Sequence, residues 1–185
     1  GKPIGVLDGG ELQFHSDSAF LARPLMATVL YGVTITSTGG TTLFVNMHDV
    51  LDDLPADLRA AIDGRRGVNR FDFVVQVKTE KLGDAAPAAY AHPAVRTHPE
   101  TGRRALYVNR LMTEEIEGIP EDVGDRLLAR LFEATERSPS VYQHFWRPGD
   151  LFIWDNRSVQ HARTDYPPEE PRLLRRVGIE GDAPM

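Results

Sequence analysis

The stretch Met26-Ala27-Thr28-Val29-Leu30-Tyr31-Gly32-Val33-Thr34-Ile35-Thr36 decides the fold class. β-Branched residues crowd it, and such side chains fit a pleated, half-buried surface. It reads as a strand. Gly39-Gly40-Thr41-Thr42 follows, without the Lys of a phosphate-binding loop or the spacing of a dinucleotide fingerprint, and reads as a turn. Thr42–Asn46 then resumes as a strand. Outward in both directions Pro or Gly recurs every few residues with β-branched runs between, the punctuation of a β-rich domain. Further strands are predicted at Leu12–Ser16, Val68–Val77, Ala94–His98, Ala105–Asn109, Val141–His144, Leu151–Trp154, Ser158–His161 and Arg172–Glu180. The apolar run Leu151-Phe152-Ile153-Trp154 suits a buried strand.

Two helices interrupt this pattern. Pro55–Asp63 carries Leu58, Ala61 and Ile62 on one side and stops at Gly64. Pro120–Arg137 places Pro120 at the first helical position, with Glu121 and Asp122 facing the positive helix end. Val123, Leu127, Leu128, Leu131 and Phe132 form its apolar stripe, which reads as core. Glu80–Ala91 is rich in Ala and Pro, lacks periodicity and reads as a mobile loop or lid.

The 185 residues fit one domain, residues 1–185, with 41% hydrophobic and 26% charged residues to fill and solubilise it. A balance of 21 basic against 27 acidic residues argues against a nucleic-acid partner. No apolar run approaches the roughly 18 residues of a membrane span, so no membrane partner is expected. Cysteine is absent, which excludes disulfides, thiolate metal sites and thiol nucleophiles, and fits a reducing, cytoplasmic setting. No Gly-x-Ser-x-Gly elbow supports a serine hydrolase.

Three features carry chemistry. His15 and Asp17 are two apart, so at a strand end both project from one face and can reach one metal ion. Alone the pair also reads as a surface histidine beside a turn-forming aspartate. His161 follows the apolar strand and the Asp155-Asn156 turn, which can return it to the same place. Two histidines and one carboxylate on one face of an octahedral ion form the facial triad of non-haem Fe(II) oxygenases. Third, alternation in Arg172-Leu173-Leu174-Arg175-Arg176-Val177 puts Arg172, Leu174 and Arg176 together. A guanidinium beside apolar residues needs a carboxylate or phosphate, unless the strand is a surface edge. His92 and His98 flank a Pro-bounded segment and read as loop histidines.

At these residues the chain resembles the taurine dioxygenase-like (TauD/TfdA) family of Fe(II)/2-oxoglutarate-dependent dioxygenases. The matching blocks are Phe14 to Phe20, Gly39 to Phe44, Val95 to Arg103, Leu106 to Asn109, Arg147 to His161 and Arg172 to Asp182. The resemblance implies a mainly β (α+β) fold, a double-stranded β-helix (jelly-roll) core with flanking helices. It implies His15, Asp17 and His161 as iron ligands, and Thr42 with Arg172 as the pair holding the distal carboxylate of 2-oxoglutarate. Arg176 matches the arginine near the cosubstrate C1 carboxylate, where it can also fix an anionic substrate. His98, Asn109 and the Asp155-Asn156-Arg157 turn match blocks read as structural.

The implied activity is hydroxylation of a small organic, anionic substrate using Fe(II), 2-oxoglutarate and O2, with release of succinate and CO2. Asp at position 17 implies hydroxylation rather than halogenation, since halogenating relatives give up this carboxylate. A homo-oligomer, dimer or tetramer, is the implied assembly. Only fourteen residues precede His15, whereas the family carries a longer N-terminal portion; the expectation is a domain lacking it, with an exposed sheet edge or apolar face. A catalytically silent jelly-roll metal-binding module is the alternative. A cupin-like isomerase or hydrolase with a redox-inert metal would leave Thr42, Arg172 and Arg176 without a task.

Overall fold

The computed structural model describes residues 10–70 and 89–185. In chain order it begins with β1 (Leu12–His15), β2 (Leu25–Thr34), β3 (Thr42–Asn46), α1 (Met47–Asp53), α2 (Ala56–Ile62) and β4 (Arg66–Arg70). It continues with β5 (Ala89–Pro93), β6 (Val95–Thr97), β7 (Arg104–Leu106), β8 (Thr113–Ile116) and α3 (Glu121–Glu136). β9 (Tyr142–His144), β10 (Leu151–Asp155), β11 (Val159–Arg163) and β12 (Leu173–Glu180) complete it. The described residues are mainly β.

Two antiparallel sheets matter for the site. One has the order β1-β11-β3-β9 and the other β10-β2-β12. In the first, His161 lies opposite both His15 and Phe44, while Arg163 lies opposite Thr42. Because strand side chains alternate, these residues share one face. Val45, opposite Gln160, and Ala162, opposite Leu43, take the other face. That second face meets the main apolar core, which includes Phe14, Val45, Met47, Leu58, Leu131 and Ala162. The helices supply much of it. α3 buries Leu127, Leu128, Leu131 and Phe132 at helical spacing and carries Glu121 and Asp122 in its first turn. Truncating the fully buried Leu131 to Ala would cost about 2–5 kcal/mol.

The two sheets face each other through aromatic rings. Phe44 of β3 stacks on Phe152 of β10 at 4.4 Å between centroids and meets Trp154 edge-on at 5.2 Å. Residues on the β1-β11-β3 inner face are thereby closed off from water, which sets the environment of His15 and His161.

Several sequence readings change. Leu151–Trp154 is not buried throughout: Leu151 is 61% and Ile153 60% exposed, against 5% for Trp154. Register carries the exposed row across the sheet, Leu151 opposite Tyr31 and Ile153 opposite Val29, which in turn faces Val177. Only Phe152 and Trp154 point to the aromatic layer, so the continuous apolar run has a wet outer face. Val123 drops out of the α3 stripe, exposed at the solvent edge, and Pro120 is the N-cap rather than the first helical residue.

Three elements escaped the pattern: α1, β5, and β8, whose Thr-Glu-Glu-Ile looks too polar for a strand until it pairs with β4. Ala89–Ala91, read as loop, belong to β5, which pairs with β4, so His92 lies on a strand and is buried. The remainder of the Glu80–Ala91 loop and the end of the Val68–Val77 strand lie outside the described residues.

Candidate metal centre

Strand β1 ends at His15, and the chain then turns sharply through Ser16, Asp17 and Ser18. Ser18 sits at φ +60°, in the left-handed region that few side chains adopt, and Ala19 N–H closes the turn on the Ser16 carbonyl. This turn, rather than strand alternation, aims Asp17 back beside His15. His161 comes from the middle of β11, and the His15 and His161 rings lie 4.1 Å apart between centroids. One ligand atom from each of His15, Asp17 and His161 lies within 4.8 Å of the others, and all three residues are buried. That is the spacing two metal–ligand bonds of about 2 Å can bridge.

Hydrogen bonds settle which atoms are offered. His15 Nδ1 donates to the Gln13 carbonyl at 2.8 Å, so its Nε2 keeps a lone pair. That Nε2 stands 3.9 Å from Asp17 Oδ1. Arg176, reaching over from β12, is ion-paired through Nη2 with the same Oδ1 at 2.8 Å. Asp17 Oδ2 accepts instead from the Thr28 hydroxyl. His161 Nδ1 is buried without a hydrogen-bond partner.

Burial, then the charge of His15, holds His161 down at about 3. Burial also lowers His15, against the opposing pull of Asp17. Burial works to raise Asp17, but the cationic surroundings of His161, His15 and Arg176, with the Thr28 hydrogen bond, hold it well below the carboxylate range. At neutral pH the cluster is therefore two neutral imidazoles and one carboxylate. This donor set fits a divalent first-row metal such as Fe(II).

The second expected pair lies where the chain enters β3. Arg172 Nη2 donates to the Gly40 carbonyl at 3.0 Å, and its guanidinium carbon sits 5.4 Å above the Tyr166 ring. Gly40 has φ +61°, and a Cβ there would stand 2.9 Å from Arg172 Nε. Only glycine lets the guanidinium lie this close. Arg172 Nε is buried without a hydrogen-bond partner, and burial with the nearby charge of Arg163 pulls the group down to about 10.

Two residues on, Thr42 is buried on the inner face, and its Oγ1 accepts from the Trp146 indole at 2.9 Å. With a lone pair so occupied, the hydroxyl hydrogen is free to be donated. His98 holds Asp155, which Arg157 also grips, and Asn109 ties Met112 to the buried Asn69. A cleft of about 550 Å³ between α2 and α3, lined by Leu58, Ala61 and Leu127 with the Asp57–Arg130 ion pair, lies among the helices and away from these groups.

The family model described as taurine catabolism dioxygenase TauD, TfdA family matches residues 3–177. The chain belongs to the TauD/TfdA family. It is 35% identical over 175 residues to the alpha-ketoglutarate-dependent 2,4-dichlorophenoxyacetate dioxygenase of Cupriavidus pinatubonensis, covering 92% of this chain and 60% of that protein. It is 31% identical to the pentalenolactone F synthase of Streptomyces avermitilis, covering 100% of this chain and 66% of that one.

Among solved structures, a taurine dioxygenase from Burkholderia xenovorans is 35% identical, with a TM-score of 0.80 over 93% of this chain and 58% of that one. AAD-2 in complex with Mn(II) and N-oxalylglycine is 28% identical, with a TM-score of 0.82 over 92% and 69% of the two chains. The TauD/TfdA chain described here spans about three fifths of the length of the first curated relatives it matches.

Proposed function

We propose that this chain is the catalytic core of an Fe(II)- and 2-oxoglutarate-dependent dioxygenase that hydroxylates a small organic, anionic substrate. The observation that carries the reading is the pairing of a buried two-histidine, one-carboxylate cluster with a half-buried arginine, its Nε enclosed, that has no carboxylate partner among the described residues. The relatives' names, alpha-ketoglutarate-dependent dioxygenases acting on different compounds, support the reaction class. No helix among the described residues is long and apolar enough to cross a membrane. On this reading residues 1–185 are a single domain, and the two sheets that face each other across Phe44, Phe152 and Trp154 are the double-stranded β-helix.

His15, Asp17 and His161 would hold the metal on one face and leave three positions for small molecules. Bound Fe(II) supplies the coupling of O2 reduction to decarboxylation of the 2-oxo acid, giving succinate and CO2. The chain's own contribution is position and charge. Arg172 presents a desolvated guanidinium, and the Thr42 hydroxyl a directed hydrogen, to the distal carboxylate of 2-oxoglutarate. Arg176, half-exposed at the rim of the triad, is placed to meet the other cosubstrate carboxylate or an anionic substrate. The buried aromatic layer around His161 keeps bulk water from the metal side.

Succinate release from 2-oxoglutarate under O2, with and without Fe(II), tests the reading across a panel of small sulfonates, sulfate esters and aryloxyalkanoates. Iron-dependent succinate, raised by at least one of these anions and lost in His161→Ala, is the expected result. Metal and 2-oxoglutarate binding without succinate would identify a silent module instead.

A further inference from the structure

We propose that Thr28 and Asn156 are positioning residues that fix Asp17 as a one-oxygen metal ligand, through a hydrogen-bond relay that runs in one direction only. The proposal rests on Asp17 being a metal ligand, as argued above, and concerns what holds its carboxylate in place. The relay begins at Trp154, whose indole N–H can only donate, and it donates to Asn156 Oδ1 at 2.9 Å. The Asp17 backbone N–H points at the same oxygen from 3.4 Å. Two donors on Oδ1 settle the orientation of the Asn156 amide, so its Nδ2 must face Thr28. There it donates to Thr28 Oγ1 at 2.9 Å.

Thr28 has one hydroxyl hydrogen, and with Asn156 donating to its oxygen that hydrogen is directed outward. It goes to Asp17 Oδ2 at 2.5 Å. All three supporting residues are buried, with Thr28 wholly enclosed, so no water competes for these bonds. Sheet register builds the relay: Trp154 of β10 lies directly opposite Thr28 of β2, and Asn156 follows at the turn. The Asn156 backbone N–H ties that turn to the Met26 carbonyl.

The consequence is a division of labour between the carboxylate oxygens. Oδ2 is capped by a donor, whereas Oδ1 faces His15 and carries the Arg176 contact. With Oδ2 tethered to Thr28 and Oδ1 on the His15 side, the carboxylate presents Oδ1 to the metal, and drawing Oδ2 in as well would strain the Thr28 bond. Asp17 thus fills one coordination position, and the open positions on which the proposed chemistry depends stay open.

The test is Mn(II) binding to the 185-residue chain, read as free Mn(II) by electron paramagnetic resonance, with near-ultraviolet circular dichroism as the check on packing. Thr28→Val keeps the shape and removes the donor; it should weaken Mn(II) binding about 10- to 100-fold, the usual scale for a lost outer partner of a metal ligand. Thr28→Ser, which restores the donor, should bind within about threefold of the unmodified chain. Asn156→Ala should weaken binding in the Thr28 background and add little to Thr28→Val, because it acts through that hydroxyl.

A merely structural role would lower melting temperature and leave the Mn(II) affinity of the folded chain unchanged. If Thr28→Val fails to fold, Thr28→Ala gives the same comparison. Thr28→Val, or Thr28→Ala in its place, binding like the unmodified chain overturns the relay, and retention of Mn(II) binding in Asp17→Ala overturns the reading it rests on.

Discussion

The triad is buried and the Arg172 corner half-buried, both are charged, and they are satisfied in opposite ways. Around Asp17 every interaction of the carboxylate comes from the chain: Thr28 on one oxygen, Arg176 on the other, His15 beside it. Around Arg172 the chain supplies one carbonyl and an aromatic face and leaves Nε with nothing. A partly desolvated cation with no anionic partner among the described residues is costly, and that desolvation already weakens its hold on its proton. On the proposed function the difference teaches that one centre is assembled by folding, whereas the other is left for the cosubstrate carboxylate to complete.

The largest break in this comparison is removal of a ligand. His161→Ala or Asp17→Ala should abolish measurable Mn(II) binding, a loss of roughly 100-fold or more by titration calorimetry, while the Arg172 corner stays intact. The reverse dissection is Arg172→Lys, which keeps the charge and loses the planar fork. It should raise the 2-oxoglutarate requirement about 30-fold, the scale of a charge-assisted hydrogen bond worth about 2 kcal/mol, with metal affinity unaltered. Equal 2-oxoglutarate dependence in the two proteins would remove Arg172 from the site.

Acid sharpens the contrast, because the triad titrates there and Arg172, held at about 10, does not. The unfolded chain binds a proton on each histidine near pH 6.5, but folded His161 resists until about 3, and burial lowers His15 and His92 as well. Between those values the unfolded state holds more protons, so stability is full above about pH 6.5 and declines as pH falls, by at most about 1.4 kcal/mol per pH unit per histidine. The depressed Asp17 adds a further loss below about pH 4, where the unfolded carboxyl takes up its proton. Melting temperatures from pH 7 to pH 5 should therefore fall for the metal-free chain, and His161→Gln should flatten part of the slope. A slope unchanged in that variant would mean His161 is not held neutral. The smallest effect is expected of Trp146→Phe. Losing the indole donor that directs the Thr42 hydroxyl should weaken 2-oxoglutarate binding about fivefold, near 1 kcal/mol, without touching the metal.

How legible these centres were follows from the kind of signal each residue carries. The His15-x-Asp17 spacing was readable as a pair although a turn, not the alternation invoked for it, brings the two together, and His161 after the Asp155-Asn156 turn and the β3 limits Thr42–Asn46 were readable because turn chemistry and alternation are local. α1 was missed although its start is marked: Asn46 accepts from the His48 N–H and donates to Asp49 three residues on. That cap sits at the end of a strand, where the β-branched run masks it. Leu151–Trp154 misled because an apolar run does not say which face meets the core. Asn156 was readable only as a turn residue, and Thr28 had no readable signal. A threonine in a β-rich strand is ordinary, and the partners that make it consequential stand 11 and 128 positions away.

The wet outer face of β10-β2-β12 has a practical consequence for all these measurements. With Leu151, Ile153, Tyr31 and Val177 side by side and exposed, the folded chain presents the kind of surface that fluorescent apolar dyes adsorb to. Such dyes should brighten on the intact protein, and the signal should fall when Leu151 and Ile153 are both changed to Thr. Dye uptake is thus no sign of a loosened interior in this molecule. Its variants are better judged by the near-ultraviolet signal of Trp146 and Trp154, whose indoles are held by the hydrogen bonds that shape the site.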